Sequence, residues 1–302
     1  MRVAGVVHAV RLGDASRRSS RVLACWLLVS ALALVPTVAE GQGLQSQADT
    51  FEQSAALLVR SMAAATKGST LGVAAHGNWL FGQVVWPGRD HAITYALKKS
   101  VKYAFCLAAP SVARSVAVGV LAPDGTVVAK QTMTPDAPCL AYTPAIDATF
   151  VVRVAVRNMY GQALCLLAVL EEGGVAVDAT EVLDTATALA VGVKALAPSS
   201  RRASLNLVIG AHLEPGGSAS FDGLAALGEG RVQALAVGAA KAHALELALL
   251  GAAGRVFASA TGTGPSPHVA LEAESGKAHG FRVLAPNSPE RSLVIVALLR
   301  AQ

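Results

Sequence analysis

The chain has 302 residues and a mass of 30.7 kDa, with 25 Lys and Arg, 20 Asp and Glu, and a formal net charge of +5. Hydrophobic residues make up 53% and charged residues only 15%. That composition excludes a disordered chain and a collagen-like or coiled-coil one, and the length suits about two domains with cores of their own.

The first element is an export signal. Arg11, Arg17, Arg18 and Arg21 precede an uncharged apolar run, Val22 to Val35, and the small residues Thr37 and Ala39 follow it. This order of basic stretch, short apolar core and small-residue exit reads as a signal peptide over residues 1–39. The run is short against the roughly 20 residues needed to span a bilayer, which favours cleavage over an uncleaved anchor. Cys25 stands before most of the apolar run, which argues against lipidation, and Arg17-Arg18 lacks the apolar residue that follows in a twin-arginine signal. The leader holds five basic residues and one acid, so the mature chain carries +1. The basicity therefore belongs to the leader, and nothing in the charge supports nucleic-acid binding. No later apolar run reaches spanning length, so no stable membrane span is expected after cleavage.

The remainder is one unit written twice. A shift of 129 residues matches 15 of the 58 positions from 113 to 170 without a gap. Gly125 meets Gly254, Val127 meets Val256, Pro138 meets Pro267 and Arg153 meets Arg282. The expected domains are residues 44–171 and 175–302, with Glu171-Glu172-Gly173-Gly174 as a flexible linker.

Each unit opens with a helical pattern. Phe51 to Ala65 places Leu58 and Met62 four apart and stops at Lys67-Gly68. Its counterpart is Thr180 to Leu196, opened by Asp178 or Thr180 and closed by Pro198. After the first helix comes an aromatic stretch containing Trp79, Phe81 and Trp86. The period then becomes two: Val101, Tyr103, Phe105 and Leu107 alternate with Lys102, Ala104 and Cys106, and Val116, Val118 and Val120 alternate with small residues. Asp124-Gly125 predicts a hairpin with a primed turn. Thr126–Lys130, the segment around Leu140, Thr149–Val156 and Ala163–Leu170 complete the series, and unit two repeats it. The fold class is mainly all-β: two tandem jelly-roll-like β-sandwich domains, each preceded by one α-helix.

Several segments carry a family resemblance. They are Lys102-Tyr103-Ala104-Phe105, Val116 to Leu121, Pro123-Asp124-Gly125-Thr126-Val127-Val128-Ala129, Phe150-Val151-Val152-Arg153-Val154 and Leu164 to Leu170. Together they resemble the bacterial pre-peptidase C-terminal (PPC) β-sandwich over about 70 residues per unit, with Phe281-Arg282-Val283 as the weaker echo in unit two. The resemblance implies a secreted, non-catalytic module. It departs from the family in having no accompanying protease domain and in carrying Asp147-Ala148-Thr149-Phe150 where a Gly-Thr-Tyr-like corner is usual. Three cysteines remain after the leader: Cys106, Cys139 and Cys165. In the resembled topology the Cys106 and Cys139 strands are neighbours of the same outward parity, which implies a Cys106–Cys139 disulfide; Cys106–Cys165 is the alternative. Cysteines in pairs suit an exported chain.

The residues offer no reactive constellation. His76, His91, His212, His243, His268 and His279 have no metal-site spacing, there is no Cys-x-x-Cys, and Asp124 and Asp136 are apart, so no metal or cofactor is expected. Gly216-Gly217-Ser218 and Gly262-Thr263-Gly264 read as loops. The candidate binding residues are Trp79, Phe81 and Trp86, which would stack on a ligand if exposed and form core if buried, and Arg153 and Arg282, the charged pair shared by the units. The expectation is an exported, periplasmic or extracellular, non-catalytic protein that binds or scaffolds an envelope or extracellular protein or glycan. The alternatives are a hydrolase with its site at the domain interface and a carrier of an apolar ligand.

Overall fold

The computed structural model describes residues 43–75, 77–86, 88, 90–110, 113–134, 138–159, 163–196, 203–222, 231–251, 254–264, 267–274 and 280–301. The expected signal peptide with Cys25 and Arg17-Arg18 lies outside the described residues, as do His76, Asp136 and His279.

The first repeat comprises α1 (Leu44–Thr66), β1 (Leu71–Val73), β2 (Asn78–Val85), β3 (Asp90–Leu97), β4 (Tyr103–Ala108), β5 (Ala113–Leu121), β6 (Val127–Met133), β7 (Cys139–Tyr142), β8 (Ala148–Met159) and β9 (Ala163–Glu172). The second comprises α2 (Ala179–Leu196), β10 (Ala203–Leu213), β11 (Ser218–Asp222), β12 (Arg231–Gly238), β13 (Ala244–Leu250), β14 (Val256–Thr263), β15 (His268–Glu274), β16 (Gly280–Leu284) and β17 (Ser292–Ala301), with a short 3-10 turn at Ala240–Ala242. Asp178 caps α2 as expected: its Oδ1 accepts from the amides of Thr180 at 2.9 Å and Glu181 at 3.2 Å. Helix α1 begins at Leu44 rather than Phe51, because Leu44, Ala48 and Phe51 continue the buried stripe toward the N-terminus.

The two sandwiches are not separate bodies. One nine-stranded sheet runs β15-β12-β17-β10-β2-β9-β4-β7, with β1 added on β9. Strands β2 and β10 join the repeats edge to edge, pairing Phe81 with Ile209 and Leu80 with Gly210. At a shift of 129, Ile209 is the counterpart of Leu80 and Gly210 of Phe81, so the seam maps onto itself about a pseudo-twofold axis. One face of this sheet carries two four-stranded sheets, β3-β8-β5-β6 and β11-β16-β13-β14. Each encloses its own sandwich core, with Phe105, Val118, Val152 and Leu167 in the first and Leu247, Phe281, Val283 and Val296 in the second. The other face is covered by α1 and α2, and its core is common to both repeats: Phe51, Leu58 and Met62 meet Leu189, Val193, Leu170, Leu205 and Leu299. Lys194 of α2 bridges to Asp49 at 2.7 Å and Glu52 at 3.0 Å on α1.

Three local expectations change. The Ala104, Cys106 and Ala108 face of β4 does not face water; every residue of β4 is buried, since α1 lies on that side. Small side chains there let the helix approach. The hairpin after β5 is not a primed turn. Gly125 N–H donates to the Ala122 carbonyl at 2.9 Å, Ala122 N–H donates to Thr126 at 2.8 Å, and Gly125 itself takes φ +84°. The Gly125-to-Ala122 bond makes Pro123 and Asp124, not Asp124 and Gly125, the central residues of the turn, and Pro123 cannot take the positive φ of a primed turn's first central position. Gly251 to Arg255 repeat the same bonds, with Gly254 at φ +70°. The Glu171–Gly174 junction is held rather than free: Val73 and Val175 exchange backbone bonds at 2.9 and 2.8 Å, and Gly72 and Gly174 are so close that a Cβ on Gly72 would lie 2.4 Å from the Val175 oxygen.

Candidate functional site

The cysteines sort by face. Cys106 and Cys139 are directly opposed on β4 and β7 and form a disulfide with a Cα–Cα distance of 4.0 Å. Cys165, on β9, points into the sandwich core on the opposite face of the sheet, which removes the Cys106–Cys165 alternative. Burial in apolar surroundings pushes its thiol up to about 12, so at neutral pH it is an inert thiol and no nucleophile.

The aromatic stretch divides three ways. Trp79 is completely buried on the helix side, Phe81 is buried in the first sandwich core, and Trp86 is 40% exposed. They therefore form no shared exposed patch. A bulge causes the split: Leu80 pairs with Gly210 but Asn78 pairs with Ala211, leaving Trp79 as the extra residue. The bulge aims Trp79 across the seam, where its indole N–H donates to Nδ1 of His212 at 3.1 Å with the rings stacked. His212 Nε2 faces Glu181 Oε2 at 3.9 Å, and Glu181 Oε1 accepts the Leu293 amide at 3.0 Å. Burial alone would push the Glu181 carboxyl up; the His212 ring, the Leu293 amide and the Lys241 ammonium outweigh it and hold the carboxyl below its usual range. The polar groups at the repeat seam are thus engaged with one another.

Arg153 and Arg282 sit mid-strand on the outer faces of the two small sheets. Arg153 forms an ion pair with Asp90. Its strand neighbours are Ala92 and Gly119, and those of Arg282 are Ser220 and Ala248. Small neighbours on both sides leave room for the arginine stem to lie along the sheet.

A cavity of about 30 Å³ lies beneath β3 at the seam, lined by Phe81, Gln83, His91, Ile93, Cys165 and Leu207 among others. It has room for a water or two and is far below the roughly 300 Å³ at which ligand pockets begin, so it cannot serve an apolar carrier. No group of three or more His, Cys, Asp or Glu able to hold a metal occurs among the described residues. No helix among them is long and apolar enough to cross a membrane.

One surface feature was not anticipated. Strands β6 and β14 are the outer strands of the two small sheets. Each begins, directly after its hairpin, with two large exposed apolar residues: Val127 (53%) and Val128 (41%) in the first repeat, Val256 (46%) and Phe257 (43%) in the second. The Val127–Val256 identity was visible in the repeat, but periodicity could not show that the strands carrying it lie at sheet edges.

No family model matches the chain, and no curated protein matches it. Among solved structures, the chain is similar to a periplasmic inhibitor of g-type lysozyme from Aeromonas hydrophila, PliG, at 11% identity over 35% of this chain and 90% of that one, with a TM-score of 0.26. It is similar to the tandem CBM51 modules of a family 98 glycoside hydrolase from Streptococcus pneumoniae at 9% identity, covering 70% of this chain and 81% of that one, with a TM-score of 0.23. A CBM22 tandem from Paenibacillus barcinonensis Xyn10C matches at 9% identity over 76% and 99%, with a TM-score of 0.22. Likenesses at these scores carry no argument about what this chain binds.

Proposed function

We propose that the protein is an exported, non-catalytic scaffold of two PPC-like sandwiches that binds an envelope or extracellular partner through the free edges of its two small sheets. The observation that carries this reading is the repetition of an exposed apolar pair at the same place in both repeats, Val127-Val128 and Val256-Phe257. Edge strands expose unpaired backbone groups, and soluble proteins ordinarily guard them with charge or Pro. Apolar residues kept there in both copies suit a partner that covers them; each is already about half buried, so each would contribute about half of the roughly 1.5–3 kcal/mol of full burial. The Cys106–Cys139 disulfide supports export, since such bonds persist in oxidising compartments.

The test is retention of envelope proteins and of peptidoglycan on the immobilised chain. Replacing Val127, Val128, Val256 and Phe257 by Ser should abolish retention while circular dichroism stays unchanged. The exposed Trp86 favours one second reading, stacking on a glycan or peptide. If Trp86→Ala alone removes retention and the four-Ser variant keeps it, the edge reading is wrong and the aromatic one replaces it. Trp79→Ala does not discriminate, because Trp79 is buried.

A further inference from the structure

The seam between the repeats departs from its own symmetry at one place. Trp79 and His212, which meet across β2 and β10, have Val208 and Gln83 as their counterparts at the 129-residue shift. Only one side of the axis therefore carries a buried indole resting on a titratable ring. Trp79 is fully buried and His212 is 6% exposed. An indole N–H only donates, and a neutral imidazole has one donor and one acceptor. Since Nδ1 accepts from Trp79 at 3.1 Å, the neutral ring carries its hydrogen on Nε2, toward Glu181.

We propose that Trp79, His212 and Glu181 form a pH-sensitive latch on the repeat seam, in which protonation of His212 withdraws the acceptor from the Trp79 indole and loosens the β2–β10 pairing. The second proton has only Nδ1 to bind, and it then confronts the indole donor. Ring rotation gives no relief, because both nitrogens of an imidazolium are donors. The charged ring still has a counter-ion in Glu181 Oε2, 3.9 Å from Nε2. The neutral state is held by the tryptophan and the charged state by the carboxylate, which gives two alternatives rather than a gradual weakening. The other charged group that reaches Glu181 among the described residues, Lys241, is itself paired with Glu290 at 3.3 Å. Histidine is the side chain whose ordinary charge change falls between about pH 5 and 8, which sets the range to scan.

The experiment follows the indole N–H cross-peaks of ¹⁵N-tryptophan-labelled full-length chain from pH 8 to pH 5. Trp79 is assigned by elimination using Trp26→Phe and Trp86→Phe. The wild-type Trp79 peak is expected to shift with a one-proton profile. Below that midpoint, exchange protection of the β2 and β10 amides, corrected for intrinsic rates, should fall at least tenfold. His212→Gln keeps an acceptor and a donor, as Gln83 does in the other repeat, and should show neither change. Glu181→Gln removes the counter-ion and should move the midpoint to lower pH, which tests the latch even if His212→Gln does not fold. A Trp79 peak that stays fixed over the range, a transition retained in His212→Gln, or a midpoint unmoved in Glu181→Gln overturns the proposal.

Discussion

Removing the Cys106–Cys139 bond tests how the outermost strand of the long sheet is held. Strand β7 makes only four residue pairs with β4, from Tyr103↔Tyr142 to Cys106↔Cys139, and the disulfide closes the last of them. Its counterpart β15 makes seven pairs with β12; the residues 129 positions after the cysteines, Leu235 and His268, are not opposed there, since Leu235 pairs with Ala270 and His268 with Val237. A longer ladder thus replaces the covalent link in the second repeat. The two cysteines are 33 residues apart, and closing a loop of that length removes entropy from the unfolded chain equivalent to about 3.7 kcal/mol at 25 °C. At roughly 2–4 °C per kcal/mol for a chain of this size, Cys106→Ala/Cys139→Ala should unfold about 7–15 °C below the parent in a calorimetric scan. Cys106 is fully buried and Cys139 half-buried, so a reductant reaches the native bond only from the Cys139 side and should act faster once the chain unfolds. Hydrogen exchange should locate the loss at the Leu140 and Tyr142 amides before the β10–β17 ladder. A fall of less than about 2 °C, with the bond confirmed intact in the parent, would show that α1 and the β4 ladder already fix β7 and that the entropic reasoning fails here.

Two further outcomes follow from the packing. Gly82→Ala at the seam places a Cβ 2.5 Å from Leu166 Cδ2 and 2.9 Å from Val208 Cβ, so urea unfolding should show a loss of about 1–3 kcal/mol from overpacking. Gly119→Ala, whose nearest neighbour would be 3.7 Å away, should cost far less, and equal losses would refute the seam argument. Cys165, with its thiol pushed up to about 12, should resist iodoacetamide at pH 8 until the chain unfolds; native-state alkylation at the rate of a free thiol would contradict its burial.

The duplication, both helices and most strands were legible because they rest on local signals: the 129-residue shift, Asp178 ahead of α2, and alternation along β4, β5 and β8. What lay on each face of a strand was not. Ala104, Cys106 and Ala168 alternate with larger residues just as solvent-facing positions would, and nothing local says that a helix lies over them. Their small size was the available signal. The seam was invisible for a related reason: edge-to-edge pairing of β2 with β10 leaves no mark on either strand's periodicity. Trp79 was ambiguous because a one-residue bulge breaks the period of two at that position, sending Trp79 and Leu80 into the same core. The Cys106–Cys139 pairing rested on parity together with the strand adjacency that the family resemblance implied, with Cys106–Cys165 left open, and parity stays right even when the face turns out to be covered.

An internal duplication also supplies its own control for separating structural from functional residues. A buried identity such as Leu164 with Leu293 is accounted for by packing, and Gly125 with Gly254 by the same positive φ in the same turn. The shared arginines need no ligand either. Arg153 pairs with Asp90, while Ala219 stands at the corresponding place in the second repeat, so what the two arginines have in common is small strand neighbours beneath the stem rather than a common ion pair. Val127 with Val256 is different: both are about half exposed, both stand at a sheet edge, and neither helps a core. A fold that needed only soluble edges would be served better by Lys or Thr at these positions. The shared exposure is therefore unexplained by folding alone, and it is the feature on which the proposed binding role rests.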